Sequence, residues 1–191
     1  VVEAINPDGT IKWSKDIGTL DPGEEEVFAE LFSDTDGKRT THMAGILDKN
    51  GTLYILAHER LNAIDSKTGD VKWIFKLFTA DRRVPTSPAI GNDGTIYVTG
   101  NIGRGLGNYG IFAVNPDGTE KWRFNTQTWL HGPIAIGPDG TIYAGGEGRR
   151  VYAVNPDGTK KWDTREVGSN LPGYIFTGVL LDDDGNTYVG V

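Results

Sequence analysis

Two short patterns alternate along this 191-residue chain, and their spacing restricts the folds open to it. The first is a polar turn followed by tryptophan, seen at residues 6–13, 66–73, 115–122 and 155–162. The second is a Gly-Thr-apolar-Tyr pattern, seen at 51–54, 94–97, 140–143 and, more loosely, 185–188. The glycines of the second pattern are 43, 46 and 45 residues apart. A propeller blade of four strands takes about 40–50 residues, so the period predicts a β-propeller.

One complete repeat shows how the strands follow from the sequence. Residues 87–90 form a short apolar segment, and residues 95–99 alternate with the period of two that is typical of a strand. Two more strands are predicted at 111–114 and 120–124, joined by the tight turn Asn115-Pro116-Asp117-Gly118. These hairpins predict an all-β fold of four-stranded antiparallel blades, with strands A to D in chain order.

The same residues resemble a known repeat. Residues 93–98 (DGTIYV), then Ala113-Val114-Asn115, Gly118 and Lys121-Trp122, are similar to the PQQ-like, quinoprotein-type propeller repeat, and the resemblance covers nearly the whole chain. It implies membership of a family that includes quinone-dependent dehydrogenases, with calcium and often a vicinal cysteine pair. The family also includes propellers without a quinone, such as the scaffold lipoprotein of outer-membrane assembly. Since this chain has no cysteine and only about four blades, we expect no cofactor.

The repeats predict one propeller domain over residues 1–191. Its parts are a half-blade at 1–17, an insertion at 18–41, blades at 42–78, 85–127 and 131–166, and a half-blade at 175–191. The first half-blade has only strands C and D and the last only A and B, so we expect the two termini to share one closing blade. Three arrangements remain open: a four-bladed ring, a dimer that exchanges half-blades, or a slice of a longer propeller. Within the insertion, residues 21–32 predict a short amphipathic helix, with an extra strand at 27–32 as the alternative.

Composition and motifs exclude several functions. The formal net charge of −7 argues against nucleic-acid binding, which needs clustered lysine and arginine. No run of 18 apolar residues predicts a membrane span. No nucleophile–base motif occurs, since the chain has no cysteine and no G-x-S-x-G sequence. The metal signal is weak, because the histidines have no nearby carboxylate at a fixed spacing. We therefore expect neither catalytic residues nor a metal site.

Antiparallel connectivity sorts the loops onto two faces. The A–B and C–D turns are short and repetitive, whereas the B–C and D–A connections are long and irregular, so the second face is the expected binding surface. Trp13, Trp73, Trp122 and Trp162 follow the repeat and are predicted to pack between blades. The non-periodic Trp129 is the better candidate for ligand contact. The other candidate ligand-binding residues on this face are His131, His42, Tyr109, Arg149 and Arg150.

These observations favour a non-catalytic binding or scaffold module, extracellular or in the cell envelope, that holds a glycan or a protein partner. The chain is expected to be a monomer or a half-blade-swapped dimer. Two alternatives stay open. The first is a polysaccharide-active enzyme domain that uses His42 or His131 as base or metal ligand, and the second is a fragment of a larger PQQ-type propeller protein.

Overall fold

The computed structural model describes residues 1–16, 44–57, 60–77, 87–101, 109–126, 128–164, 175, 178–182 and 184–190, and these residues form strands and turns. The strands are β1 (Val2–Ile5), β2 (Ile11–Lys15), β3 (Ala44–Leu47), β4 (Thr52–Ala57), β5 (Arg60–Asp65), β6 (Val71–Lys76), β7 (Ala89–Ile90), β8 (Ile96–Asn101), β9 (Tyr109–Val114), β10 (Glu120–Asn125), β11 (Ala135–Ile136), β12 (Ile142–Gly145), β13 (Val151–Val154), β14 (Lys160–Asp163), β15 (Leu180–Leu181) and β16 (Thr187–Tyr188).

Three of the sheets are complete blades. Strands β3–β6 form blade I, β7–β10 form blade II and β11–β14 form blade III, each paired antiparallel in chain order. Strands β1–β2 form a separate two-stranded N-terminal half-blade, and β15–β16 form a C-terminal one. The prediction of an all-β propeller with four-stranded antiparallel blades is confirmed.

The register repeats from blade to blade. Strand B places a tyrosine opposite an alanine of strand C in every complete blade: Tyr54↔Ala63, Tyr97↔Ala113 and Tyr143↔Ala153. Each C–D pair also shifts register at the start of strand D, next to the tight turn. A bulge at this point increases the local twist, which suits the strongly twisted blades of a propeller.

The core lies between neighbouring blades. Apolar side chains of strands B and C fill the space between blades I and II, where Leu56, Leu61, Val98 and Phe112 are buried. A second layer joins blades II and III, with Ile111, Leu130, Ile142 and Tyr152 as buried members. In blade II, strand C is buried along its whole length and strand D alternates, so the outer strand faces solvent on one side.

Both half-blades pack against complete blades. Val2 and Trp13 lie against blade I, while Val179 and Leu181 lie against blade III. The two half-blades are not joined to each other within the residues that the structure describes, so the shared closing blade stays a prediction. The predicted helix or strand at 21–32 lies outside the described residues. None of the described segments forms a helix of the length and apolarity needed to cross a membrane.

Candidate binding site on the loop-rich face

The turns divide between two faces. The A–B and C–D turns of a blade lie side by side, as shown by the hydrogen bond from the Ser66 N–H to the Gly51 carbonyl (2.9 Å). We call this side the short-turn face. The B–C turn at 146–150 and the D–A connection at 126–134 meet at the opposite ends of the strands, and we call this side the loop-rich face. The sorting of loops therefore follows the antiparallel connectivity.

The periodic tryptophans belong to the short-turn face and are structural. Each indole N–H donates to a carbonyl in the C–D turn of the following blade: Trp13 to Ser66 at 3.0 Å, Trp73 to Pro116 at 2.9 Å and Trp122 to Pro156 at 2.9 Å. This confirms, for these three tryptophans, that they pack between blades.

The C–D turn glycine makes room for the tryptophan ring. At Gly118, which has a φ of 90°, a Cβ atom would lie 2.7 Å from the ring of Trp73. At Gly158 it would lie 2.8 Å from the ring of Trp122. A larger residue would have to adopt a positive φ, and its Cβ atom would clash with the tryptophan ring. Both the backbone conformation and the close packing therefore require glycine at these turns.

Lysines of strand D hold the A–B turns of blades II and III. The Lys121 ammonium donates to Asp93 Oδ2 at 2.9 Å and to Thr95 Oγ1 at 2.9 Å, and Lys161 repeats the arrangement with Asp139. Burial acts to raise the pKa of Asp93, but the hydrogen bonds from Lys121 and Thr95 outweigh it and lower this pKa to about 2. The hydrogen bond from Lys161 likewise lowers the pKa of Asp139. These contacts recur with the repeat and stabilise turns.

The loop-rich face carries a cluster without such repetition, centred on Trp129. The Trp129 and His131 rings lie with their centroids 4.1 Å apart and their planes at 48°. The His131 side chain is 7% exposed, and its Nε2 lies 3.9 Å from Glu147 Oε1, on a side chain that is 33% exposed. The half-buried Trp129 ring, a buried imidazole and a partly exposed carboxylate therefore meet where blades II and III join.

Backbone pairing holds these residues together. Leu130 bridges Gly146 in antiparallel fashion, the His131 N–H donates to the Gly145 carbonyl (3.1 Å), and the Glu147 N–H donates to the Trp129 carbonyl (2.9 Å). A Cβ atom at Gly146 would lie only 2.5 Å from the Trp129 carbonyl oxygen. The D–A connection after blade II thus pairs with the B–C turn of blade III in the manner of an additional strand. This backbone pairing fixes the position of Trp129.

A network of buried hydroxyl groups also holds the D–A connection after blade II. The Thr126 hydroxyl donates to the Thr128 carbonyl (2.7 Å), and Thr128 Oγ1 shares a hydrogen bond of 2.8 Å with the hydroxyl of Tyr152. The Tyr152 hydroxyl also donates to the Thr126 carbonyl. Because a buried hydroxyl needs a partner, this network selects one conformation for the segment before Trp129.

The predicted site residues take up different positions around this cluster. Arg149 and Arg150 are half-buried in the B–C turn beside Glu147, and Arg149 has a φ of 54°, which is uncommon for a residue with a side chain. Tyr109 is only 9% exposed, and its carbonyl accepts a hydrogen bond from the Thr126 N–H (2.8 Å). Its ring is therefore buried near the base of the connection. His42 lies outside the described residues.

Glu147 is the residue that sequence reasoning missed. The carboxylate that approaches His131 in space lies 16 residues further along the chain, so sequence spacing did not reveal it. The feature that could have revealed Glu147 is the pairing of a D–A connection with the B–C turn of the next blade. This pairing brings the two segments together on one face. No group of three or more histidine and acidic side chains suited to a metal ion occurs within the described segments.

Comparisons with known proteins agree with this architecture. A family model described as outer membrane protein assembly factor BamB matches residues 107–173. This part of the chain is therefore similar to a PQQ-like propeller repeat. The match includes the whole Trp129 cluster, since it runs from before strand β9 to after strand β14. A search of curated proteins finds no match.

Solved structures resemble the PQQ-like repeats in fold. They include a protein of unknown function from Bacteroides caccae (16% identity, 80% of this chain and 54% of that chain, TM-score 0.56). BamB from Moraxella catarrhalis matches with 22% identity over 74% of this chain and 45% of its own, with a TM-score of 0.56. A europium-containing methanol dehydrogenase matches with 13% identity over 80% and 38%, also at 0.56. The chain spans about half or less of each of these proteins.

Proposed function

We propose that this chain is a non-catalytic binding or scaffold module of the cell envelope or the extracellular space, and that it holds a partner protein on its loop-rich face. The observation that carries the proposal is the Trp129 cluster, where one aromatic ring that does not follow the repeat is held rigidly beside ionisable side chains. A rigid scaffold with one irregular face commonly carries its binding residues there.

The composition of the cluster suits a protein interface. Tryptophan and arginine are enriched among the residues that dominate binding energy in such interfaces, and both occur here, as Trp129 and the pair Arg149 and Arg150. The backbone pairing between Trp129 and Glu147 means that little conformational entropy is lost when a partner binds. The family match over residues 107–173, to a model described as an outer-membrane assembly factor, supports the same class of function and the envelope location.

A glycan is the second candidate ligand. A tryptophan face is a suitable platform for the apolar face of a sugar ring, and Trp129 is followed within the cluster by the polar groups of His131 and Glu147. The two candidates differ in the size of the contact surface. A glycan would contact the Trp129 cluster alone, whereas a protein would also contact neighbouring loops.

The proposal that the module is non-catalytic depends on the role of the His131–Glu147 pair. A histidine beside a carboxylate is one arrangement that serves general base catalysis, and the side chain of His131 is 7% exposed. A buried imidazole that packs on Trp129 acts in our proposal as a support for that ring rather than as a base. Polysaccharide degradation that is lost in His131→Ala would contradict this assignment.

The central experiment compares three immobilised forms of the chain: wild type, Trp129→Ala and the control Lys67→Ala. Lys67 lies exposed in a C–D turn, on the short-turn face. Each form is exposed to detergent-solubilised bacterial envelope proteins and, separately, to a glycan array. We expect a protein that is retained by wild type and Lys67→Ala and lost by Trp129→Ala.

The other outcomes separate the candidates. A glycan signal with the same dependence on Trp129, without a retained protein, would replace the protein partner by the second candidate. Retention that is equal in all three forms would show that the Trp129 cluster is not the binding site. Circular dichroism on each variant verifies that a lost interaction does not reflect lost folding.

A further inference from the structure

Asn50 lies exposed in the A–B turn of blade I, directly before Gly51. Its backbone N–H donates to Asp48 Oδ1 at 2.8 Å, which holds the main chain of the turn. Among the residues that the structure describes, no hydrogen bond involves the Asn50 side-chain amide. This amide is therefore in contact with water and able to rotate towards the main chain.

The residue after Asn50 favours attack on that amide by the main chain. Gly51 has no Cβ atom to hinder the approach of its own nitrogen to the Asn50 side chain. The Gly51 N–H donates to the Asp48 carbonyl at 3.2 Å, whereas the equivalent bonds of Gly94 and Gly140 measure 2.9 Å. Because a longer hydrogen bond is weaker, the Gly51 nitrogen is released more easily than its counterparts in blades II and III.

Other asparagines of the chain lack this combination, since Asn50 is the only one that glycine follows. Three turn asparagines precede proline, which has no N–H, and donate through their side chains to a threonine hydroxyl at 2.9–3.0 Å: Asn6, Asn115 and Asn155. Asn62 is 1% exposed. Asn92 is exposed in the A–B turn of blade II but precedes Asp93, so it is a natural control for Asn50.

The other complete blades carry aspartate at the position of Asn50. These residues are Asp93 and Asp139, each directly before the turn glycine. Burial acts to raise the pKa of Asp93, but hydrogen bonds from Lys121 and Thr95 lower it to about 2, and the pKa of Asp139 is lowered as well. Both carboxyl groups are therefore ionised at neutral pH, and an ionised carboxylate resists attack by a backbone nitrogen. The uncharged amide of Asn50 has no such protection.

We propose that Asn50 is a site of spontaneous deamidation. The Gly51 nitrogen attacks Cγ of Asn50 and closes a five-membered succinimide ring, while the side-chain nitrogen leaves as ammonia with the proton of the Gly51 N–H. One water molecule then opens the ring at either carbonyl, which leaves aspartate or isoaspartate at position 50. The reaction exchanges an amide for a carboxylate and adds one negative charge. This inference does not depend on the proposed partner.

The two products have different consequences for blade I. The C-terminal half-blade carries Asp184 in a turn of the same type, where Asp182 accepts backbone hydrogen bonds as Asp48 does in blade I, so aspartate fits this position. Isoaspartate lengthens the main chain by one methylene group directly before Gly51. It would displace the Gly51 carbonyl, which accepts the Ser66 N–H at 2.9 Å and so joins the A–B turn to the C–D turn. Isoaspartate should therefore destabilise blade I, and aspartate should not.

The first test incubates the full chain at mildly alkaline pH and follows it by anion exchange and by peptide mapping with mass spectrometry. We expect a species one charge more negative than the initial net charge of −7, altered at position 50, with the amide of Asn92 retained. Asn50→Gln keeps an amide but would have to close a less favourable six-membered ring, so it should delay this species. A synthetic peptide of residues 46–54 sets the time scale of the reaction without the fold.

The second test compares the melting temperatures of the products. Asn50→Asp has the normal main chain and should melt with the wild type, whereas the isoaspartate fraction separated after incubation should melt lower. An Asn50 amide that survives in the folded chain after the peptide has reacted, conversion of Asn92 at the same rate, or an acidic species that forms as quickly in Asn50→Gln would each overturn the proposed site. An isoaspartate fraction that melts with the wild type would overturn the proposed effect on blade I.

Discussion

Trp122 and Trp129 lie seven residues apart and both form hydrogen bonds to blade III, yet the protein holds them by different means. Trp122 is held through its side chain, with its indole N–H on the Pro156 carbonyl and its ring against Gly158. Trp129 is held through its backbone, by the hydrogen bond between its carbonyl and the Glu147 N–H, while its ring lies half-buried against His131. A side-chain anchor indicates a structural role, and a backbone anchor allows the ring to serve binding.

The largest expected effect is the loss of stability on replacing Trp122, the tryptophan that is held through its side chain. Replacing it with alanine removes the ring, the hydrogen bond to Pro156 and the contact with Tyr97, whose ring centroid lies 5.7 Å away. We expect Trp122→Ala to lower the free energy of unfolding by about 3 kcal/mol, since truncation of a large aromatic residue in a core costs about 3–5. Urea denaturation followed by circular dichroism measures it. Trp129→Ala, the control, should cost about 1 kcal/mol or less, and equal losses would contradict the distinction.

The next effect concerns binding at Trp129. If Trp129 dominates the interface, Trp129→Ala should raise the dissociation constant for the partner by about 30-fold, which corresponds to about 2 kcal/mol. Isothermal calorimetry with the captured partner gives this value. Glu147→Gln keeps the size of the side chain and removes its charge, so it should cost less, because the carboxylate is partly exposed. A larger loss for Glu147→Gln than for Trp129→Ala would move the centre of the site to the carboxylate.

A pair of glycine variants measures how much the contact between a turn glycine and a periodic tryptophan contributes to stability. Gly158 and Gly148 both have positive φ, at 87° and 67°, but only Gly158 faces a tryptophan ring. Gly148→Ala should cost about 1 kcal/mol for backbone conformation alone. Gly158→Ala should cost about 2 kcal/mol, because a Cβ would lie 2.8 Å from the ring of Trp122. Thermal unfolding of both variants compares them, and equal costs would show that the ring moves aside freely.

The smallest expected effect is the response to acid. The pKa of Asp93 is about 2 and that of Asp139 is also lowered in the folded chain, against an ordinary value of about 3.9. A lowered pKa in the folded state stabilises it above the ordinary value, and this contribution is lost as the pH falls towards 2. The melting temperature should therefore fall between about pH 4 and 2, and less steeply in Asp93→Asn. Asp70→Asn, which changes an exposed carboxyl elsewhere, should follow the wild type; parallel curves for all three would contradict the role of Asp93.

Regular features of this protein were predictable because they are local. The turn at 115–118 and the tryptophan that follows it are set by residues within one hairpin, so their repetition identified blades, strand order and the structural tryptophans. The same periodicity made Trp129 conspicuous as an exception. The shared closing blade, which was inferred from what each terminus lacks, stays a prediction.

The sequence alone determined the all-β propeller, the sorting of turns and loops onto two faces, and the identity of the tryptophans that join blades. Only the tertiary structure decided that His131 is buried against Trp129, that Glu147 reaches it, and that the ring of Tyr109 is buried. The physical reason is that a hairpin is specified by neighbours along the chain. The Trp129 cluster instead arises where irregular segments of adjacent blades pair, and their register depends on how the blades pack together.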